Sequence, residues 1–169
     1  MINDGFNISG EFTITQVRNG VVIARDNLKN SITNQGIHRL FDLWFLGATN
    51  SAVVVGLIDA NLFAGVAATD TAAVHGGWSQ LSGSPPKPLI MTVAANKISS
   101  TDTTTSTGTR FDIMSNGFVK GIFIQTSDNL FLWNTAIYLN RLALVVNVGD
   151  ALYVTYSTKL TIDTDKDNG

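Results

Sequence analysis

Helical periodicity occurs once in this chain, and that single occurrence decides the fold class. Between Leu28 and Leu46, the residues Ile37, Leu40, Phe41 and Trp44 recur at the 3.6-residue spacing, with Leu43 beside them. Thr33 or Asn34 can cap the open amides at the start, and Gly47 can end the helix in a left-handed conformation. The spacing predicts one helix of about three turns near residues 34–46. Its apolar stripe requires a partner, and a sheet face or edge is the expected one.

The remaining regular segments alternate as strands do. Ser9–Val17 sets Phe12 and Ile14 on one face and Thr13 and Thr15 on the other. Asn19-Gly20 predicts a tight type I′ turn, pairing roughly Glu11–Val17 with Val21–Arg25. Ala52–Ile58 is apolar on both faces, so it reads as a central strand covered on both sides, by the helix on one of them. Further strands are expected at Pro88–Val93, Thr109–Met114, Phe118–Thr126, Ala136–Leu139 and Leu142–Val148, with a short one within Val74–Leu81. Phe111 and Ile113 point inward, Asn116-Gly117 is a second type I′ candidate, and Gly121 marks a close backbone approach or a bulge. After the Gly149-Asp150 turn, Ala151–Ile162 places Leu152, Val154, Tyr156, Leu160 and Ile162 on one face. About eight or nine strands at this spacing describe a mostly β chain, an antiparallel β-sandwich or jelly roll with one short α-helix. It reads as a single domain over residues 1–162, followed by a flexible acidic tail at 163–169.

Composition narrows the function. The 169 residues are 44% hydrophobic, enough for a core, but only 14% charged. Little like-charge repulsion opposes packing against a partner, so an assembled protein is expected. Arg18, Arg25, Lys29, Arg39, Arg110, Lys120, Arg141 and Lys159 are scattered singly, which leaves no basic stripe for nucleic acid. The absence of cysteine excludes disulfides and thiolate metal sites. Residues 1–6 lack a basic region and an apolar run, so no signal peptide is expected there, and no apolar stretch has the length of a membrane span.

No constellation for catalysis emerges, and neither a cofactor nor a metal is expected. Asp163, Asp165 and Asp167 match the start of a calcium loop, but Asn168 stands where the glycine belongs. His38 and His75 lie far apart without obvious partners. Glu11 is the single glutamate, and no Gly-x-Ser-x-Gly elbow occurs. Trp78 reads first as a packing residue and second as an intermolecular anchor. Three long segments poor in core residues are candidates for intermolecular contact. They are the 59–73 loop with Leu62 and Phe63, Trp78 with the connector of Pro85, Pro86 and Pro88, and the polar run at 99–108 with Thr103 and Thr105.

Several segments in fixed order then resemble a family of small tailed-bacteriophage virion proteins. They are Leu28-Lys-Asn-Ser-Ile-Thr-Asn-Gln-Gly-Ile-His-Arg-Leu-Phe-Asp42 at a helix entry, Val54-Val-Gly-Leu-Ile58, and Ala68–Leu81 with its His-Gly-Gly-Trp. Thr109–Ile113, Val119–Ser127 and the closing Asn147-Val-Gly-Asp-Ala-Leu-Tyr-Val-Thr-Tyr156 complete the set. Gln80 departs from the acidic residue usual in the family, and Pro85-Pro-Lys-Pro88 from its Arg-Pro region. The resemblance implies a non-enzymatic structural protein, in the first place a capsid decoration or cement protein. Its expected partners are the phage major capsid protein and further copies of itself, most simply a trimer, on the capsid exterior of a virion assembled in the host cytoplasm. The alternative it leaves is a tail or head-fibre component that binds a receptor or carbohydrate, with Trp78 and Trp133 as a shallow sugar platform.

Overall fold

Asn19 and Gly20 both take positive φ, 51° and 77°. Their backbone matches the twist of the flanking strands, so β1 (Gly5–Arg18) folds straight back as β2 (Val21–Lys29), as the Asn-Gly pair predicts. The chain continues through β3 (Ser31–Ile32) into α1 (Asn34–Phe45). Thr33 caps that helix: its hydroxyl accepts from the Gly36 amide at 3.0 Å and donates to the Leu132 carbonyl. The strands β4 (Val53–Asp59), β5 (Lys87–Pro88), β6 (Met91–Ala94), β7 (Lys97–Ser100), β8 (Thr109–Asp112) and β9 (Gly117–Thr126) follow. Then come β10 (Leu132–Ile137), β11 (Leu144–Val146) and β12 (Ala151–Asp163). The computed structural model describes residues 5–47, 52–94, 97–100, 108–138 and 142–163.

Among the described residues all strand pairings are antiparallel, and they form two sheets. The first runs β2-β1-β12-β7-β6, with β8 also on β12. Its spine is the long β1–β12 ladder from Gly5–Asp163 to Val17–Ala151. The second runs β3-β10-β9-β4-β5, with β11 beside β9. The expected sandwich is therefore present. Phe12, Ile14, Phe111, Leu152 and Val154 from the first sheet share a core with Val55, Leu57, Val119, Ile122 and Ile124 from the second.

The second sheet is apolar on both faces, and a bulge keeps Val119 on the inner one. Ile58 pairs with Gly121 and Asp59 with Val119, so Lys120 is the extra residue. Beyond it, Ile122 and Ile124 face the sandwich while Phe123 faces outward. Gly121 belongs to the bulge and also lets β10 approach, because a Cβ there would collide with the Ala136 carbonyl. On the outer face Ile58, Trp78, Phe123 and Leu132 form a second core with Phe63, Val66, Ala72 and Ile137. The 59–81 segment covers β4 from outside, where the sequence had suggested the helix. The helix instead packs on β10.

Other expectations change in instructive ways. Asn116-Gly117 is not a type I′ turn, since neither residue has positive φ. The strands it joins, β8 and β9, lie in different sheets, so no hairpin forms there. The Pro88–Val93 strand is two strands: β5 pairs with β4, and the chain then switches sheets to begin β6. Within 74–81 the pairing is one isolated bridge, Ile58 with Gln80. The helix stripe is only partly covered, with Ile37 42% and Phe41 53% exposed.

Candidate functional site

Asp150 immediately precedes β12, directly after Gly149, whose φ of 89° makes the turn. Its side chain is fully buried and collects donors from distant parts of the chain. Arg18 gives Nε to Oδ1 at 2.6 Å and Nη2 to Oδ2 at 2.9 Å. Gln16 Nε2 donates to Oδ2 at 2.7 Å and also to the Val145 carbonyl at 2.9 Å. The Asn147 amide donates to Oδ2 at 2.9 Å. The Arg18 guanidinium holds the Asp150 carboxyl well below the usual carboxylate range; the Asn147 amide and Gln16 act the same way, against the cost of burial. Backbone bonds from Ile113 N to Asp150 O and from Gly149 N to Ile113 O add the end of β8. A carboxylate held ionised near neutral pH by four donor contacts is a structural anchor. What it does is clamp: the β1–β2 hairpin end, β11, the 147–150 turn and the residues after β8 are fixed to one point.

Several exposed apolar side chains lie on the segments that this clamp joins. Val21, Val22, Met114, Phe118, Val145 and Val148 are each 47–73% exposed. They do not share one face: Val22 pairs with Val17 and Val21 with Arg18, so these two valines lie on opposite faces of β2. Phe118 and Val145 stand opposite each other in the β9–β11 ladder, and Val148 N donates to Asn116 Oδ1 at 2.9 Å. The clamp's own cation, Arg18, is answered by Asp150.

The 59–81 cap is a second organised region. Asp70 Oδ2 accepts from Trp78 Nε1 at 2.8 Å and from the Ala67 amide at 2.9 Å. His75 stacks on Trp78 with ring centroids 3.8 Å apart, and its Nδ1 lies 3.0 Å from the Trp78 carbonyl. Gln35 on the helix accepts from Ala72 N and Leu132 N and donates to the Leu130 carbonyl, which binds the cap to α1 and β10.

The residues singled out as intermolecular contacts are dispersed. Trp78 is buried in the outer core against Phe123, the packing role placed first for it. Phe63 is half-buried in the same core, while Leu62 is 98% exposed at the loop tip. Pro85 is exposed and Pro86 half-buried, and Pro88 lies on β5 at the edge of the second sheet. Thr103 and Thr105 lie outside the described residues. Trp133 packs toward the core between the sheets and Trp78 toward the outer one, so the two indoles do not form a common platform. Among the described residues no three His, Asp or Glu side chains gather closely enough to hold a metal, and no helix is long and apolar enough to cross a membrane. The Asp150 end was missed as a site by sequence reasoning; the signal was Gly149-Asp150 preceded by Val145 and Val148, apolar residues beside a turn.

A scan against family models, a search of curated proteins and a search of solved structures each returned no match.

Proposed function

We propose that this chain is a non-enzymatic structural protein of a tailed-bacteriophage virion, a capsid decoration (cement) protein on the capsid exterior. It acts as a homo-oligomer, most simply a trimer, and bridges neighbouring major capsid subunits. The observation that carries the reading is the rigid sandwich end, where exposed neutral apolar side chains lie on the segments joined by the Asp150 clamp. A protein that stabilises a shell works by mass action through buried area, so it needs a preorganised surface rather than reactive groups. The segments that resemble virion proteins support the same reading. They supply the helix entry, β4, β9 and the β12 start, the elements that build the sandwich and its clamp.

Reconstruction of virions containing the chain, at side-chain resolution, tests the proposal. The expected result is density on the icosahedral shell across boundaries between capsid subunits. Density confined to the tail or a fibre tip would overturn it in favour of the adsorption role.

A further inference from the structure

We propose that a water molecule is a built-in part of this fold, bound between the sheets by the Trp133 indole and the Asn134 side chain. The site begins with a bulge. Leu132 pairs with Gln125 and Asn134 with Ile124, so Trp133 is the extra residue in β10. Successive residues of a regular strand point to opposite faces. Here Leu132 lies in the outer core, whereas Trp133 packs against the inner one and the Asn134 side chain reaches Tyr156, an inner-core residue. Two neighbouring residues thereby bring a donor and an acceptor to the same side of the sheet.

The protein itself answers neither. Trp133 Nε1 and Asn134 Oδ1 are buried, and each meets no hydrogen-bonding atom among the described residues. Asn134 as a whole is only 4% exposed, so bulk solvent does not reach it. Its amide cannot be satisfied by turning over, because Nδ2 would then be left in the place of Oδ1. An unmet buried donor beside an unmet buried acceptor is costly twice over, and one molecule that both gives and takes a hydrogen bond removes both costs. Both groups are neutral, which suits an uncharged ligand rather than an ion. Water is the ligand of that chemistry.

The surroundings are built for polar groups. The Tyr156 hydroxyl accepts from Asn134 Nδ2 at 3.1 Å and from Asn30 Nδ2 at 3.2 Å. On β1, Gly10 leaves room for them, since a Cβ there would come 2.7 Å from the Tyr156 oxygen and 2.8 Å from the Asn30 amide. The bound water completes this polar seam and holds the β10 bulge to it, in a sandwich whose core is otherwise apolar.

The inference does not depend on attachment to a capsid, and the free full chain tests it. Three tryptophans give three indole N–H signals in a nitrogen-15 spectrum, and Trp133→Phe assigns the one concerned. The Trp133 N–H is expected to show a cross-peak to water whose signs in the laboratory and rotating frames are opposite, as for a water that tumbles with the protein; hydrogen exchange gives equal signs. Asn134→Leu, similar in size but without an acceptor, is expected to abolish that cross-peak while still melting cooperatively. No cross-peak, one with exchange signs only, or one that Asn134→Leu leaves intact overturns the proposal. If Asn134→Leu does not fold, a high-resolution crystal structure of the wild type decides. Water density about 2.7–3.2 Å from both Nε1 and Oδ1 is expected, and a dry site or a direct Trp133–Asn134 bond overturns the proposal.

Discussion

Replacing Asp150 removes a structural clamp, and its cost can be worked out donor by donor. In Asp150→Ala the Asn147 amide and one Gln16 N–H lose their acceptor in a part-buried site. Gln16 keeps the Val145 carbonyl, and Arg18, with 41% of its side chain exposed, turns to water. Two unanswered donors at about 1–1.5 kcal/mol each, with the lost packing of the carboxylate, give about 3 kcal/mol, or a melting temperature lower by roughly 6–12 °C. Asp150→Asn keeps one oxygen for Gln16 and Asn147 and loses the charge, so about 1 kcal/mol is expected. The pH dependence has a definite sign. The folded carboxyl titrates below its unfolded value, so its contribution is complete above the unfolded pKa of about 3.9 and is lost as pH falls through the folded pKa. Urea unfolding of wild type and Asp150→Asn should show a gap at about pH 7 that narrows steadily below about pH 4. A gap that is constant with pH, or an alanine variant within about 0.5 kcal/mol of wild type, would refute the clamp.

Other substitutions probe the second core and the helix seat. Trp78→Ala should cost about 3–5 kcal/mol and expose the 60–81 segment to limited proteolysis, whereas Trp78→Phe, which loses the bond to Asp70 and part of the indole packing, should cost about 2 kcal/mol. Gly121→Ala drives a Cβ into the Ala136 carbonyl and should abolish soluble expression or cost more than about 3 kcal/mol; Gly76→Ala, with open space around it, should be neutral or slightly stabilising in the same melts. Gly36→Ala, which improves helix propensity by about 1 kcal/mol, should nonetheless lower the melting temperature, because its Cβ would meet the Trp133 carbonyl. Thr33→Ala, losing both the cap and a buried bond to Leu132, should cost about 2 kcal/mol in chemical unfolding.

What could be read from the sequence is what local chemistry determines. Asn19-Gly20 names its turn because two successive positive-φ residues are needed there and few residues supply them. Leu152, Val154 and Tyr156 name their face because the strand period is fixed. Asn116-Gly117 misled for the complementary reason: a turn propensity says nothing about which sheet the next strand joins, and β9 joins the other one. The 59–73 segment read as surface loop because its apolar residues follow no period. They need none, since each packs onto a sheet face already built by β4, β9 and β10. The clamp was out of reach for a different reason. Asp150 was visible as a turn residue, but its partners Gln16 and Arg18 lie 134 and 132 positions away, and only the β1–β12 register brings them to it.

The helix shows how such long-range terms override a clear local pattern. Its apolar positions suggested the seat, yet α1 is seated by residues that the pattern would place elsewhere. Gly36 lets the first turn lie on the Trp133 backbone, Gln35 bonds three backbone groups of the cap and β10, and Arg39 lays its guanidinium over Phe131 at 4.7 Å. The Gln35 bonds answer backbone groups of residues 72, 130 and 132, and an unmet buried donor or acceptor costs more than half-exposing an isoleucine and a phenylalanine. The rotation of the helix is thus set by hydrogen bonding, and Ile37 and Phe41 are turned partly to solvent as its consequence. The Asp150 end obeys the same rule. There too a polar network is satisfied first, and Val145, Val148 and Met114 are left outside it, fixed in place and uncovered.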